Sequence, residues 1–133
     1  MAATFLVAAA LDVPGLAAEV IAVAPGPVST RVEFRIINET DRAVDASRLF
    51  EGNQRADRST VAGLRAFVLP GGRALPLRRD ARGQCRCSRD VAGILPRWHL
   101  DLQAEFAPVA PATRLRIEIP HFAPIEAVAL ASR

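Results

Sequence analysis

The chain has 133 residues, of which 50% are hydrophobic and 23% charged, with a formal net charge of +3. That length and composition suit one folded domain over residues 1–133 and exclude a disordered acidic or basic tail. No apolar run approaches the roughly 20 residues that a membrane-spanning helix needs, and the chain carries no Lys or Tyr while all 17 basic residues are Arg.

The opening MAATFLVAAALDVPGLAA imitates a secretory leader, with a short apolar stretch at residues 4–11 and small residues at Ala17 and Ala18. It lacks a basic start, since the first Arg is Arg31, and Asp12, Pro14 and Gly15 break the stretch early. It reads instead as a first strand and turn, with Met1 a start set where a leader has been trimmed away.

A weak second strand over residues 18–24 runs into the PGP turn at Pro25 to Pro27. In TRVEFRII the period becomes two: Val32, Phe34 and Ile36 share one face and Arg31, Glu33 and Arg35 the other. That is the pattern of a half-buried strand. NETD at Asn38 to Asp41 and EGN at Glu51 to Asn53 are turns around a weak strand at 43–50. Further weak strands are expected at 61–69 and 74–77, joined by PGG at Pro70 to Gly72.

Residues 80–95 show little alternation and read as a long loop, with a helical turn at 88–92 capped by Ser88. WHLDLQAEF then alternates over its whole length, placing Trp98, Leu100, Leu102, Ala104 and Phe106 inward, with Trp98 as a core residue. TRLRIEI repeats the pattern with Leu115, Ile117 and Ile119, and a last strand covers 125–130. Seven to nine short strands with turns between them define an all-β chain. The expected architecture is an immunoglobulin-like antiparallel β-sandwich, with a small barrel as the alternative.

Charge is concentrated in the loop region. Residues 73–97 hold seven Arg against Asp80 and Asp90, whereas the remaining chain holds ten Arg against twelve acids. Arg forks match carboxylate and phosphate oxygens, although a solvated surface is the plainer explanation. No aromatic residue lies between Arg73 and Arg97, so base stacking on this patch, and with it nucleic-acid binding, is not expected.

Within that loop, GQCRCSRD holds both cysteines, Cys85 and Cys87. Four readings stand. A Cys-x-Cys disulfide closes a very short ring and stiffens a loop without adding much global stability. A copper or zinc clip would recruit His99 or His121, at a spacing that matches no familiar zinc module. A redox pair would draw on Arg82, Arg86 and Arg89 to lower a thiol pKa. Two idle thiols complete the set. His99 lies on the polar face of its strand, and His121 follows Pro120 at a strand end. No nucleophile elbow, Cys–His motif or phosphate loop is present, so neither an enzyme nor a resident cofactor is expected.

The string from Ser59 to Leu130 resembles a group of exported bacterial β-sandwich domains that occur as lipoproteins or secreted proteins and ahead of OmpA-like peptidoglycan-binding domains. The resembling features are LPLRRDARGQCRCS with its CxCS, LDLQAEFAPV and IPHFAPIEAVAL. The earlier VEFRIINETDRAVD fits the group's N-terminal strand and turn. Two departures stand out. PRWH, Pro96 to His99, replaces the group's Pro-Gly turn, and no OmpA-like segment lies within these residues, so peptidoglycan binding is not carried over.

The resemblance implies an exported protein of the cell surface or envelope whose CxCS is a disulfide staple rather than a metal clip. The expected role is a non-enzymatic binding or assembly module. Arg78, Arg79, Arg82, Arg86, Arg89, Arg97 and Trp98 would meet a protein or an anionic envelope polymer, and edge strands offer a route to homo-oligomers. The alternative is a copper or zinc carrier using Cys85 and Cys87 with His99 or His121.

Overall fold

Alternation is what the chain builds with. In the computed structural model, which describes residues 6–130, every pairing between the strands is antiparallel. Ten strands form among the described residues: β1 Leu6–Ala9, β2 Leu16–Pro25, β3 Thr30–Asn38, β4 Val44–Asp45, β5 Arg65–Leu69, β6 Arg73–Leu75, β7 Gly93–Ile94, β8 His99–Phe106, β9 Arg114–Glu118 and β10 Ile125–Val128. They make one four-stranded sheet of order β1-β2-β3-β8, a second of order β10-β9-β5-β6, and a two-stranded ribbon β4-β7.

In β3, Val32, Phe34 and Ile36 are fully buried while Arg31, Glu33 and Arg35 face outward. In β9, Leu115 and Ile117 are buried, as is Ile119 just beyond it. The inner residues of both sheets enter one apolar core, together with Phe50, Val61 and Leu64 from the connecting segments and Ile94 from β7. Complete burial of an aliphatic or aromatic side chain contributes about 1.5–3 kcal/mol, so this pattern is the main source of stability.

The sheets are tied to each other along both sides. After β6 the chain leaves the second sheet at Pro76, and Leu77 bridges to Phe106 at the edge of the first. Opposite, Ala10 bridges to Phe122, the Leu11 amide donates to the His121 carbonyl at 2.8 Å, and the Leu130 amide donates to the Val23 carbonyl at 3.0 Å.

The structure departs from the sequence expectation at several places. The strands expected at 43–50 and 61–69 shrink to β4 and β5, because the residues between them pack as an irregular cover over the core. Thr4, at the start of the expected first strand, lies outside the described residues. The helical turn at 88–92 does not form. Ser88 instead pairs with β8: its amide donates to the Gln103 carbonyl and its hydroxyl accepts from the Gln103 amide, both at 2.9 Å. The regular turn of helix lies elsewhere, as a 3-10 turn at Arg55–Asp57.

Asn38 closes β3 from within the core. Its side-chain amide donates to the carbonyls of Arg42 at 2.7 Å, Ile94 at 3.1 Å and Leu95 at 3.2 Å. Its carbonyl oxygen accepts from the Thr40 amide at 3.0 Å and hydroxyl at 2.6 Å. One buried side chain thus holds both the NETD turn and the segment entering β8. Asn38→Ala strands several of these groups away from water and is expected to cost about 2–3 kcal/mol. Urea denaturation checks this as a lowered midpoint with an unchanged slope.

Candidate functional site

The CxCS loop is built as a braced hairpin laid against β8. Gly83 takes φ +79 at its tip, a left-handed conformation that a side chain rarely adopts. The Asp80 carboxylate accepts from the Arg82 amide at 2.8 Å and the Gln84 amide at 3.1 Å. These contacts, the first above all, hold its pKa below the ordinary carboxylate value. Three backbone groups then form a closed triangle: Arg78 donates to Glu105, Glu105 to Arg86, and Arg86 to Arg78, at 2.8–2.9 Å. Cys87 bridges to Ala104, and Arg79 to Cys85.

Cys85 and Cys87 lie at disulfide-bonding distance, with their Cα atoms 5.2 Å apart, and both are buried in the core cluster. The sulfurs therefore face each other and the apolar interior rather than a set of ligands. Among the described residues, no group of three or more His, Cys, Asp or Glu is placed to hold a metal ion. His99 and His121 are apart from the cysteines and from each other. His99 stacks on Trp98, and His121 Nδ1 lies 2.8 Å from the Asp12 carboxylate.

The loop's arginines divide by what they touch. Arg79 turns inward, its side chain 26% exposed, and its fork meets the fully buried carboxylate of Asp57 at 2.7 and 3.1 Å. The same guanidinium donates to the Gly83 carbonyl at 2.9 Å. Asp57 also accepts from the Gln54 amide at 3.2 Å, and Gly52 leaves the room its carboxylate occupies, since a Cβ there would overlap Oδ2. The Arg79 hydrogen bonds hold the Asp57 pKa below the ordinary value against the opposing effect of burial.

Arg89 lies along the hairpin, donating to the Cys85 carbonyl at 2.9 Å and to the Gln84 side chain. Arg82 and Arg86 are exposed, Arg78 is half-buried, and none of the three forms an ion pair among the described residues. Through Asp57, the hairpin also meets the 3-10 turn, where Arg55 and Arg58 are exposed.

Arg97 and Trp98 do not belong to this cluster. Arg97 pairs with Asp41 at 2.9 Å, and Trp98 stands at the start of β8, whereas Arg86 pairs near Glu105. Six or seven residues of extended strand separate the two places by about 20 Å. Trp98, read from the sequence as core, is 59% exposed. Full burial along the inward face of β8 begins at Leu102; Leu100 packs partly buried against the core, and Trp98, two residues earlier, lies past its edge.

Asp57 is the functional-site residue that sequence reading misses. It sits in QRADRS, where neighbouring arginines make it look like one more surface charge. The available signal is Gly52 followed by Gln54 and then Asp57 at the N3 position of a short turn. No family model, curated protein or solved structure matches the chain.

Because folding lowers the pKa of Asp57, its contribution is complete above the unfolded value near 4 and is lost as pH falls through the lower folded value. Stability to urea is therefore expected to decline below about pH 4. Arg79→Ala, which leaves a buried carboxylate unpaired, is expected to cost about 2–4 kcal/mol at neutral pH. For the cysteines, unreduced protein alkylated in denaturant is expected to stay unlabelled, at a mass about 2 Da below the dithiol. Labelling of both thiols without reduction would contradict the bonded pair.

Proposed function

We propose that the protein is a non-enzymatic binding or assembly module of the cell surface or envelope. Its fold is read as an immunoglobulin-like β-sandwich, and its basic hairpin as the surface that takes an anionic polymer or an acidic protein partner. The observation that carries the reading is the contrast between Arg79 and its neighbours. Arg79, the Asp80 turn and the cysteine pair fix the hairpin's shape, while Arg82 and Arg86 are left exposed and without ion pairs among the described residues. A preformed loop with unpaired guanidinium groups binds anions without first having to order itself.

The exposed Arg55 and Arg58, which flank Asp57, extend the same basic surface. A bonded Cys85–Cys87 pair fits an oxidising compartment, and the resemblance of the CxCS region to exported domains agrees with that address. Arg78 lines the base of the hairpin, and Arg89 supports it.

Retention on heparin, a sulfated polysaccharide, provides the test. Affinity is expected to fall by at least about tenfold between about 50 and about 200 mM salt. The double variant Arg82→Ala, Arg86→Ala is expected to lose most of it without loss of thermal stability. Salt-insensitive binding, or full retention of the double variant, would overturn the assignment.

A further inference from the structure

Trp98 is the chain's sole tryptophan, and the fold fixes it in the open. Its amide donates to the Leu95 carbonyl at 3.0 Å, and its carbonyl accepts from the Asn38 amide at 2.8 Å. The buried Asn38 side chain also holds the Ile94 and Leu95 carbonyls. The turn that displays Trp98 is therefore anchored at both ends by one core residue. A turn whose backbone is already fixed does not have to be ordered when its exposed aromatic binds.

From the indole, through His99 and the neighbouring turn, runs a strip of paired polar groups. Its ring stacks on His99 with centroids 5.4 Å apart and planes 16° from parallel. His99 Nε2 lies 3.8 Å from the Asp101 carboxylate, which accepts from Arg35 Nε at 2.6 Å. In the same turn Arg97 pairs with Asp41, whose side chain is 86% exposed. Each carboxylate keeps lone pairs to spare, and each guanidinium keeps unused donors.

Three chemistries could use an exposed indole. A nucleobase arrives with phosphate, but here Arg35 and Arg97 are paired with Asp101 and Asp41, and the exposed Arg42 of the same turn is offset by Glu39, so no net positive charge is left to attract it. A stable protein interface needs an apolar centre of several large side chains, and the one other large exposed hydrophobic residue in this turn is Leu95. A neutral sugar ring has one flat C–H face and a rim of hydroxyls that both donate and accept. An aromatic face bordered by neutralised carboxylate–guanidinium pairs matches that pattern.

We propose that Trp98, with His99, Asp101, Arg35 and the Asp41–Arg97 pair, forms a binding platform for a neutral pyranose unit of a glycan, separate from the basic hairpin. The ring stacks on the indole, and its hydroxyls meet the flanking carboxylates and guanidinium groups. The platform is open rather than enclosed, so single-site affinity is weak, and repeated units along a polymer would raise the apparent affinity only by the number of units on offer.

With one tryptophan and no tyrosine, emission excited at the indole edge reports this site alone. The experiment titrates the protein with cellotetraose, chitotetraose and maltotetraose. At least one is expected to give a saturable shift in Trp98 emission. Asp101→Asn, which keeps the fluorophore, is expected to weaken that response several-fold. Trp98→Ala, followed by line broadening of the sugar's proton resonances, is expected to bind at least about tenfold more weakly. Arg82→Ala, Arg86→Ala is expected to respond like the unaltered protein, so failure here is distinct from failure at the basic hairpin. An unchanged emission with all three sugars would overturn the proposal. So would a saturable response to oligothymidylate in their place, or an emission shift that follows protein concentration alone.

Discussion

A carboxylate with no exposed surface has to be neutralised where it sits, and Asp57 is neutralised by a residue that lies across the fold from it in the chain. Arg79 reaches it with both arms of its fork, in the planar arrangement that a lysine cannot reproduce. The pair joins two irregular segments that have no sheet of their own: the cover between β4 and β5, and the hairpin after β6. The hairpin is paired through its backbone to β8, whereas the cover between β4 and β5 has only scattered turn bonds. The Val61 amide donates to the Ser88 carbonyl and the Val91 amide to the Ser59 carbonyl, so backbone bonds join the same two segments that the ion pair joins.

The cysteine pair and the ion pair act at different ranges. Cys85 and Cys87 constrain a ring of three residues, which limits how the sulfurs and their neighbours orient but reaches no farther. The Arg79 fork links that ring to the 3-10 turn and also fastens the hairpin tip at Gly83. The arginine neighbours in sequence, Arg78 and Arg79, thus have divergent roles. Alternation along a strand-like segment turns one of them toward the buried acid and leaves the other against the β8 edge.

The regular strands were readable because their burial is one-sided: TRVEFRII, LDLQAEF and TRLRIE each carry the alternation that their faces show. The all-β class and the antiparallel pairing follow from that pattern and the turns. Residues 46–64 and 79–92 were not readable in the same way. Their order rests on isolated bridges to β8 and on single side chains, Asp57, Arg79 and Ser88, whose partners are distant in sequence and leave no period behind. Trp98 illustrates the opposite error. It continues the inward alternation of β8 perfectly, yet the core ends before the strand does. In the candidate site, the cysteine pairing was legible as one of four readings. The sorting of arginines into brace and free surface was not, because it depends on which one meets the buried acid.

The position of β8 has a consequence for how the chain assembles. Its partner β3 lies far earlier in the sequence, with β4 through β7 between them. A nascent chain can close the β2–β3 hairpin early, but one edge of β3 then stays open until the late strand is available. Exposed edges of that kind recruit strands from other molecules. Along β3, Arg31, Glu33 and Arg35 alternate with the apolar residues, placing charge at every second position of the waiting edge. The same residues that face solvent in the finished sheet therefore act as gatekeepers of the unfinished one.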